Sequence, residues 1–185
     1  VLATKTQKGS DPQTIPAIRE ELEESLRLLK TDWVDLYYLH QPPDDPAVMH
    51  QALDLLESLK KEGKLKAIGA SIKGPAVTDA TLKLCRQYID SGRIDAIQLV
   101  YSILRQKNAA IFDYAHQKGV GIVVRTSMES GFLSGKYRPG QVITEGHRKR
   151  WTPENQALIF EKVIEMEKHA IQPPYTSMPE VAVRF

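Results

Sequence analysis

Cysteine is nearly absent from the sequence, since Cys85 is the only one in 185 residues. A single thiol cannot form a disulfide within the chain, and the lack of a disulfide framework is typical of proteins from a reducing compartment. Cys85 also lies on an apolar helical stripe, which favours a place in the core over a reactive role. We therefore expect a cytoplasmic protein whose fold does not depend on disulfides.

Long hydrophobic runs and an excess of charge are missing as well. No apolar run approaches the roughly 20 residues that a membrane-spanning helix needs, and no signal-peptide pattern opens the chain. Lys and Arg number 25 against 23 Asp and Glu, and the basic cluster at 147–150 is short. The histidines at 50, 116, 147 and 169 show no metal-binding spacing. The sequence therefore favours no membrane, no nucleic acid and no metal as a partner, and leaves the oligomeric state unknown.

Short β-branched runs alternate with stretches of helical periodicity along the whole chain. The strand candidates begin near Val1, Trp33, Leu65, Ile94 and Val120. Helical stripes follow them at about 15–29, 48–63, 82–92, 108–119 and 152–170, with Thr14 as the expected cap of the first helix. Because the strand runs are apolar enough to be covered on both faces, the pattern predicts an α/β fold with a parallel sheet.

The choice within this class lies between an open doubly wound sheet and a barrel. No GxGxxG motif follows any strand, so the dinucleotide-binding fingerprint of the open fold is missing. A complete barrel takes about 250 residues, more than this chain has. We therefore expect a (β/α)8 TIM barrel of which about five βα units are present, as a single domain over residues 1–185 that is truncated at both ends.

Polar residues stand where the predicted strands end. The carboxyl ends of parallel strands meet at one rim, which is where such folds place their sites. The rim residues expected here are Lys5, His40, Ser71, Gln98 and Arg125. Taken singly, each has an ordinary structural explanation, such as a lysine that reaches water or a serine that satisfies nearby backbone groups. Position alone does not decide between the two interpretations.

Five motifs in order along the chain favour a functional interpretation. They are the strand at 3–5, the segment at 31–40 that leads to His40, the strand at 65–71, the strand at 97–102 and the glycine-containing loop at 130–137. Together they resemble the central part of the aldo-keto reductases, a family of barrel enzymes. The resemblance implies an NAD(P)H-dependent oxidoreductase that reduces small-molecule aldehydes or ketones to alcohols, with NADP(H) as cofactor.

The resemblance also implies a role for each matching residue. Lys5 and His40 would be catalytic, Lys5 as the cation that lowers the pKa of a proton-donating tyrosine and His40 as the group that orients the carbonyl oxygen. Ser71 and Gln98 would bind the nicotinamide carboxamide, and backbone groups of the loop, helped by Lys136, would bind the pyrophosphate. The implied cofactor-binding residues are Ser71, Gln98, Arg125, Thr126, Met128, Ser130, Gly131, Leu133 and Lys136.

The sequence departs from the family pattern at several points. The proton-donating tyrosine and its aspartate belong upstream of the lysine strand, and the contacts to the adenine end belong downstream, so NADPH preference is inherited from the family. Ile72 stands where many members have Asn. Arg125 replaces an aromatic residue that often stacks on the nicotinamide. A planar guanidinium can also stack on a ring, and the alternative for Arg125 is a salt bridge at the rim. We therefore expect these residues alone to be a poor catalyst.

Two other functions fit the same pattern. One is a nucleotide-binding regulatory subunit without significant turnover, like the potassium-channel β subunits, which His40 disfavours because those subunits tend to lose that histidine. The other is a Schiff-base aldolase that uses Lys5, which the combination of Ser71, Gln98 and the Gly131 loop disfavours.

Overall fold

The computed structural model describes residues 1–72 and 78–185, apart from the side chains of His147 and Arg148. The described chain divides into two compact units. The first comprises Val1–Val100 and Lys107–Arg125, and the second comprises Tyr101–Gln106 and Thr126–Phe185. The expectation of a single domain over residues 1–185 is not tested by this division and stays a prediction.

The first unit contains a five-stranded parallel sheet with the strands in sequence order. The strands are β1 (Ala3–Thr6), β2 (Val34–Leu39), β3 (Leu65–Ser71), β4 (Ala96–Val100) and β5 (Gly121–Arg125). The helices between them are α1 (Ala17–Leu29), α2 (Pro46–Lys61), α3 (Asp79–Asp90) and α4 (Phe112–Gln117). In an open doubly wound sheet the strand order reverses at a switch point, whereas consecutive pairing is what a barrel requires.

The helices form where an apolar stripe coincides with a start signal. In α2, the Asp45 carboxylate accepts hydrogen bonds from the backbone N–H groups of Ala47 and Val48, at 2.7 and 3.2 Å. Pro46 occupies the first helical turn, where its missing N–H costs nothing. The buried stripe of α2 consists of Met49, Ala52, Leu53, Leu56 and Leu59. Cys85 of α3 is buried, as its stripe predicts, and Tyr37 and Tyr38 are core residues of β2.

The predicted cap of the first helix is wrong. A 3₁₀ helix at Pro12–Thr14 precedes α1, and its cap is Asp11, whose carboxylate accepts from the Gln13 N–H at 2.8 Å. The Thr14 hydroxyl donates to the Asp11 carbonyl at 2.8 Å, so it closes this short turn and does not cap α1. A second difference concerns the fourth helix, which begins as a 3₁₀ helix at Lys107–Ile111 and becomes α-helical only from Phe112.

The second unit is helical. Its elements are 3₁₀ helices at Glu129–Ser134 and Gly146–Arg150, then α5 (Pro153–Ala170) and α6 (Met178–Arg184). The sequence predicted α5 but not the short α6. One buried cluster joins Leu133 to α5 and α6, and a second joins Phe132, Ile143 and Phe160. In the part of the chain that the structure describes, no helix is long and apolar enough to cross a membrane.

Candidate active site

The predicted rim residues of the first unit lie on one face of the sheet. The register pairs Lys5 with Tyr38 and Ser71 with Gln98. Tyr38 is in turn paired with Gly69, two residues before Ser71, and Val100 with Arg125. Since side chains two residues apart along a strand point to the same face, these pairings place all of them together at its carboxyl end.

Three of the predicted residues are in direct contact. The Lys5 ammonium donates a hydrogen bond to Oε1 of Gln98, and the Ser71 hydroxyl donates to the same oxygen at 3.2 Å. Two strands separate β1 from β4 in the sheet, so the bond from Lys5 crosses the face instead of joining neighbouring strands. The Lys5 ammonium also lies 5.5 Å from the centre of the Tyr38 ring.

The surroundings of Lys5 favour its neutral form more than water does. Burial lowers the pKa of Lys5, and the nearby positive charge of Arg125 lowers it further. Arg125 itself is anchored to the rim, because its guanidinium donates to the Ile72 carbonyl at 3.2 Å. The stacking of Arg125 on a nicotinamide ring stays a prediction.

The backbone of β2 places His40, which directly follows this strand. Its N–H donates to the Thr6 carbonyl at 3.0 Å, which extends the pairing of β1 with β2 by one residue. His40 is half-buried and lies two residues after Tyr38, on the face that carries Lys5. The structure thus places His40 at the predicted rim.

The predicted pyrophosphate loop lies in the second unit and has an unusual backbone. Thr126, Glu129, Ser130 and Gly131 have φ values of 67, 46, 56 and 94°, all in the left-handed region. The N–H groups of Gly131 and Leu133 both donate to the Met128 carbonyl, at 2.8 and 3.3 Å. Consecutive right- and left-handed residues turn backbone N–H groups toward a common centre, which is how protein loops bind anions.

The flanks of this loop are held by burial. The Phe132 and Leu133 side chains are buried in the two core clusters of the second unit, which leaves Leu133 only its backbone to offer a ligand. Lys136 is exposed, and its N–H donates to the Ser134 hydroxyl at 3.2 Å. The ammonium of Lys136 is 5.7 Å from the centre of the Tyr137 ring.

Sequence reasoning missed the buried carboxylate of this loop. Glu129 is only 5% exposed, and its Oε1 accepts from the Ser102 hydroxyl and, at 2.7 Å, from Nε of Arg105. The signal was present as the single acidic residue of this loop, but its partners stand more than 20 positions earlier in the sequence.

A second missed feature is the contact between Gly69 and Tyr38. A Cβ on Gly69 would lie 2.3 Å from Cδ1 of the Tyr38 ring, so the ring occupies the space that any other residue at position 69 would fill. A glycine inside a strand often marks such a close approach, and this was the available signal.

The structure brings no metal-binding group together in the residues that it describes. Outside 73–77, and leaving aside the two side chains excepted above, no three His, Cys, Asp or Glu side chains could hold a metal ion.

Known proteins resemble this chain in sequence. The aldo/keto reductase family matches residues 1–185. The NADH-specific methylglyoxal reductase of Escherichia coli (strain K12) is 34% identical over 131 residues, which cover 67% of this chain and 38% of the relative. The D-threo-aldose 1-dehydrogenase of a Pseudomonas species is 31% identical over 144 residues, covering 71% and 42%. The matched stretches therefore span less than half the length of these relatives.

Solved structures resemble the fold. An aldo-keto reductase from Bacillus halodurans in its holo form matches with a TM-score of 0.68 at 27% identity, over 100% of this chain and 56% of that one. The glycerol dehydrogenase of Gluconobacter oxydans matches with a TM-score of 0.72 at 24% identity, over 95% and 51%. These matches confirm the predicted barrel units. The chain belongs to the aldo/keto reductase family, and its parallel sheet with alternating helices is part of that family's (β/α)8 barrel.

Proposed function

We propose that this chain supplies the nicotinamide-binding and carbonyl-orienting residues of an oxidoreductase that reduces aldehydes or ketones to alcohols with NADPH. The family consists of oxidoreductases that use nicotinamide cofactors. The observation that carries the proposal is the direct contact of Lys5, Ser71 and Gln98 on one face, at the carboxyl end of the sheet.

The donor and acceptor groups of this cluster fit a nicotinamide carboxamide. A carboxamide has two N–H donors and one carbonyl acceptor. The Ser71 hydroxyl can donate and accept, and the Gln98 side chain carries an amide of its own. Ser71 is 1% exposed and Gln98 is half-buried, so these contacts form where competition from water is weak. When bound there, the nicotinamide supplies the hydride.

Lys5 and His40 take the roles that the family resemblance implies. A cation beside a phenol stabilises the phenolate, so Lys5 lowers the pKa of a tyrosine that donates its proton to the carbonyl oxygen. His40 donates a hydrogen bond to that oxygen and orients it. The resemblance places the tyrosine and its aspartate upstream of the lysine strand, so neither role is assigned to a residue of this chain.

The loop of the second unit is our candidate for the pyrophosphate. Thr126, Ser130 and Gly131 each have a positive φ, and left-handed residues that follow right-handed ones are what shape an anion-binding concavity. The exposed Lys136 adds a positive charge near the end of the loop. Met128 and Leu133 contribute through their backbone N–H groups, for which Leu133 gives up its 3.3 Å bond to the Met128 carbonyl. In the first unit, we assign Arg125 to the face of the nicotinamide ring.

The choice of NADPH, the substrate and the location are part of the proposal. One relative is an NADH-specific methylglyoxal reductase and another a D-threo-aldose 1-dehydrogenase. Small aldehydes and sugars are therefore the first compounds to test, with both nucleotides. We place the protein in the cytoplasm because its single cysteine is a buried free thiol.

The test is the binding of NADPH and of NADH by isothermal titration calorimetry. We expect NADPH to bind more tightly, and we expect Ser71→Ala to weaken its binding about three- to tenfold, the value of one hydrogen bond. Ser58→Ala removes a hydroxyl from α2, away from the rim, and serves as the control. Failure of both nucleotides to bind, or an equal loss in the two variants, would refute the proposal.

Turnover gives the complementary result. Because the proton donor is assigned upstream, we expect the 185 residues to oxidise NADPH with methylglyoxal only very slowly. Rapid turnover would mean that a residue of this chain donates the proton, and the roles given above would be wrong.

A further inference from the structure

The side-chain oxygen of Gln98 accepts hydrogen bonds from two residues to which we assign different functions. An amide oxygen has two lone pairs, and here one accepts from the Lys5 ammonium and the other from the Ser71 hydroxyl. We assign Lys5 to the proton transfer, and Ser71 to the binding of the nicotinamide carboxamide. The bond from Lys5 crosses two intervening strands, so it depends on the curvature of this face and not on local sequence.

The groups around Lys5 affect the balance between its ammonium and its neutral amine. The positive charge of Arg125 repels the Lys5 ammonium, whereas the Tyr38 ring in β2 lies close enough to attract it. Glu20, Glu21 and Glu24 of α1 line a surface pocket together with Lys5. His40 lies on the same face. Burial and Arg125 favour the neutral amine, whereas a hydrogen bond to an amide oxygen favours the ammonium, so Gln98 opposes them.

We propose that Gln98 is a positioning residue for Lys5, and that the nicotinamide carboxamide competes with Lys5 for the Gln98 oxygen. Only the competition between the carboxamide and Lys5 rests on the proposed function; the positioning role of Gln98 does not. A carboxamide N–H that binds Oε1 of Gln98 must displace Lys5 or Ser71, because both lone pairs are in use. Ser71 and Gln98 are paired in register on neighbouring strands, and the Ser71 hydroxyl can accept from the carboxamide while it still donates to Gln98, so Lys5 is the partner that is released. Cofactor binding thereby frees the Lys5 ammonium for the proton-donating phenol.

The first test measures the reactivity of Lys5 in the full chain without nucleotide. Acetic anhydride acetylates only neutral amines, and mass spectrometry reports the rate at Lys5 as a function of pH, with the exposed Lys83 as an internal reference. In Gln98→Leu the ammonium loses its acceptor, so we expect Lys5 to react about three to ten times faster at neutral pH. In Gln98→Glu a carboxylate replaces the amide, and we expect slower reaction.

The control is Gln117→Leu at the exposed end of α4, which should leave the profile of Lys5 unchanged. The two Gln98 variants change the profile in opposite directions, which partial unfolding would not do, and circular dichroism checks the fold of each. Identical profiles for wild type and both Gln98 variants would overturn the positioning role.

The second test is a double-mutant cycle on NADPH binding. If Lys5 competes for the Gln98 oxygen, Lys5→Met should strengthen NADPH binding, and this gain should disappear in the Gln98→Leu background. An equal effect of Lys5→Met in both backgrounds would overturn the competition. If NADPH does not bind at all, the proposed function fails, while the acetylation profiles still decide whether Gln98 positions Lys5.

Discussion

The contact between Gly69 and Tyr38 allows a quantitative test of the packing beneath Lys5. In Gly69→Ala the new Cβ would lie 2.3 Å from Cδ1 and 2.5 Å from Cε1 of the Tyr38 ring, well inside van der Waals contact. Tyr38 is 2% exposed, so its ring cannot simply swing into solvent. Overpacking of this kind costs about 1–3 kcal/mol, and we expect urea unfolding to show a free energy of unfolding lower by that amount.

The matched control is Gly121→Ala in β5. Its Cβ would meet only the Asp95 carbonyl oxygen at 3.5 Å, an ordinary contact, so we expect a change within about 0.5 kcal/mol. Removal of the ring should relieve the clash, so Gly69→Ala should cost much less in a Tyr38→Ala background than in wild type. If Gly69→Ala is as stable as wild type, or costs the same with and without the ring, the described contact is wrong.

Three further predictions concern stability and reactivity. Burial raises the pKa of Cys85 to about 11, so the folded chain should resist thiol reagents at about pH 8. Rapid labelling of Cys85 in the native chain would contradict this resistance. The stability that the protonated thiol contributes is present below the ordinary pKa of 9.0 and is lost as pH rises toward about 11. Gln156→Leu removes three hydrogen bonds that hold the segment 143–151, so limited proteolysis there should accelerate, and an unchanged rate would refute that role. Glu129→Gln weakens the bond to Arg105 and should lower the free energy of unfolding in urea by about 1.5–3 kcal/mol, the value of a hydrogen bond to a charged group, whereas exposed Glu161→Gln should cost almost nothing. Equal losses in the two variants would argue against the pair of Glu129 and Arg105.

The sequence predicted the order of the elements because each has a strong local cause. The strands are apolar on both faces, and the helices carry stripes at intervals of three and four residues. Their ends were less predictable. Asp11 and Thr14 are both good caps in isolation, and only the intervening 3₁₀ turn decides that Asp11 caps the first of two helices. The short α6 contributes three residues to the buried cluster around Leu133, a long-range cause that a local pattern does not contain.

The candidate site shows the same division between local and distant causes. Lys5, Ser71 and Gln98 could be named because the ends of parallel strands share a rim. Their shared oxygen could not be foreseen, since a bond from β1 to β4 depends on how strongly the sheet curves. The role of Glu129 was hidden for a similar reason, because its partners lie 24 and 27 residues away.

The most direct test of the account is a crystal structure of this chain with NADPH. We expect the nicotinamide carboxamide within hydrogen-bond distance of the Ser71 hydroxyl and the Gln98 amide, with the pyrophosphate against the backbone of residues 126–133. A nucleotide bound elsewhere, with Lys5 and Ser71 still donating to Gln98 as they do here, would contradict the central claim that this rim binds the nicotinamide.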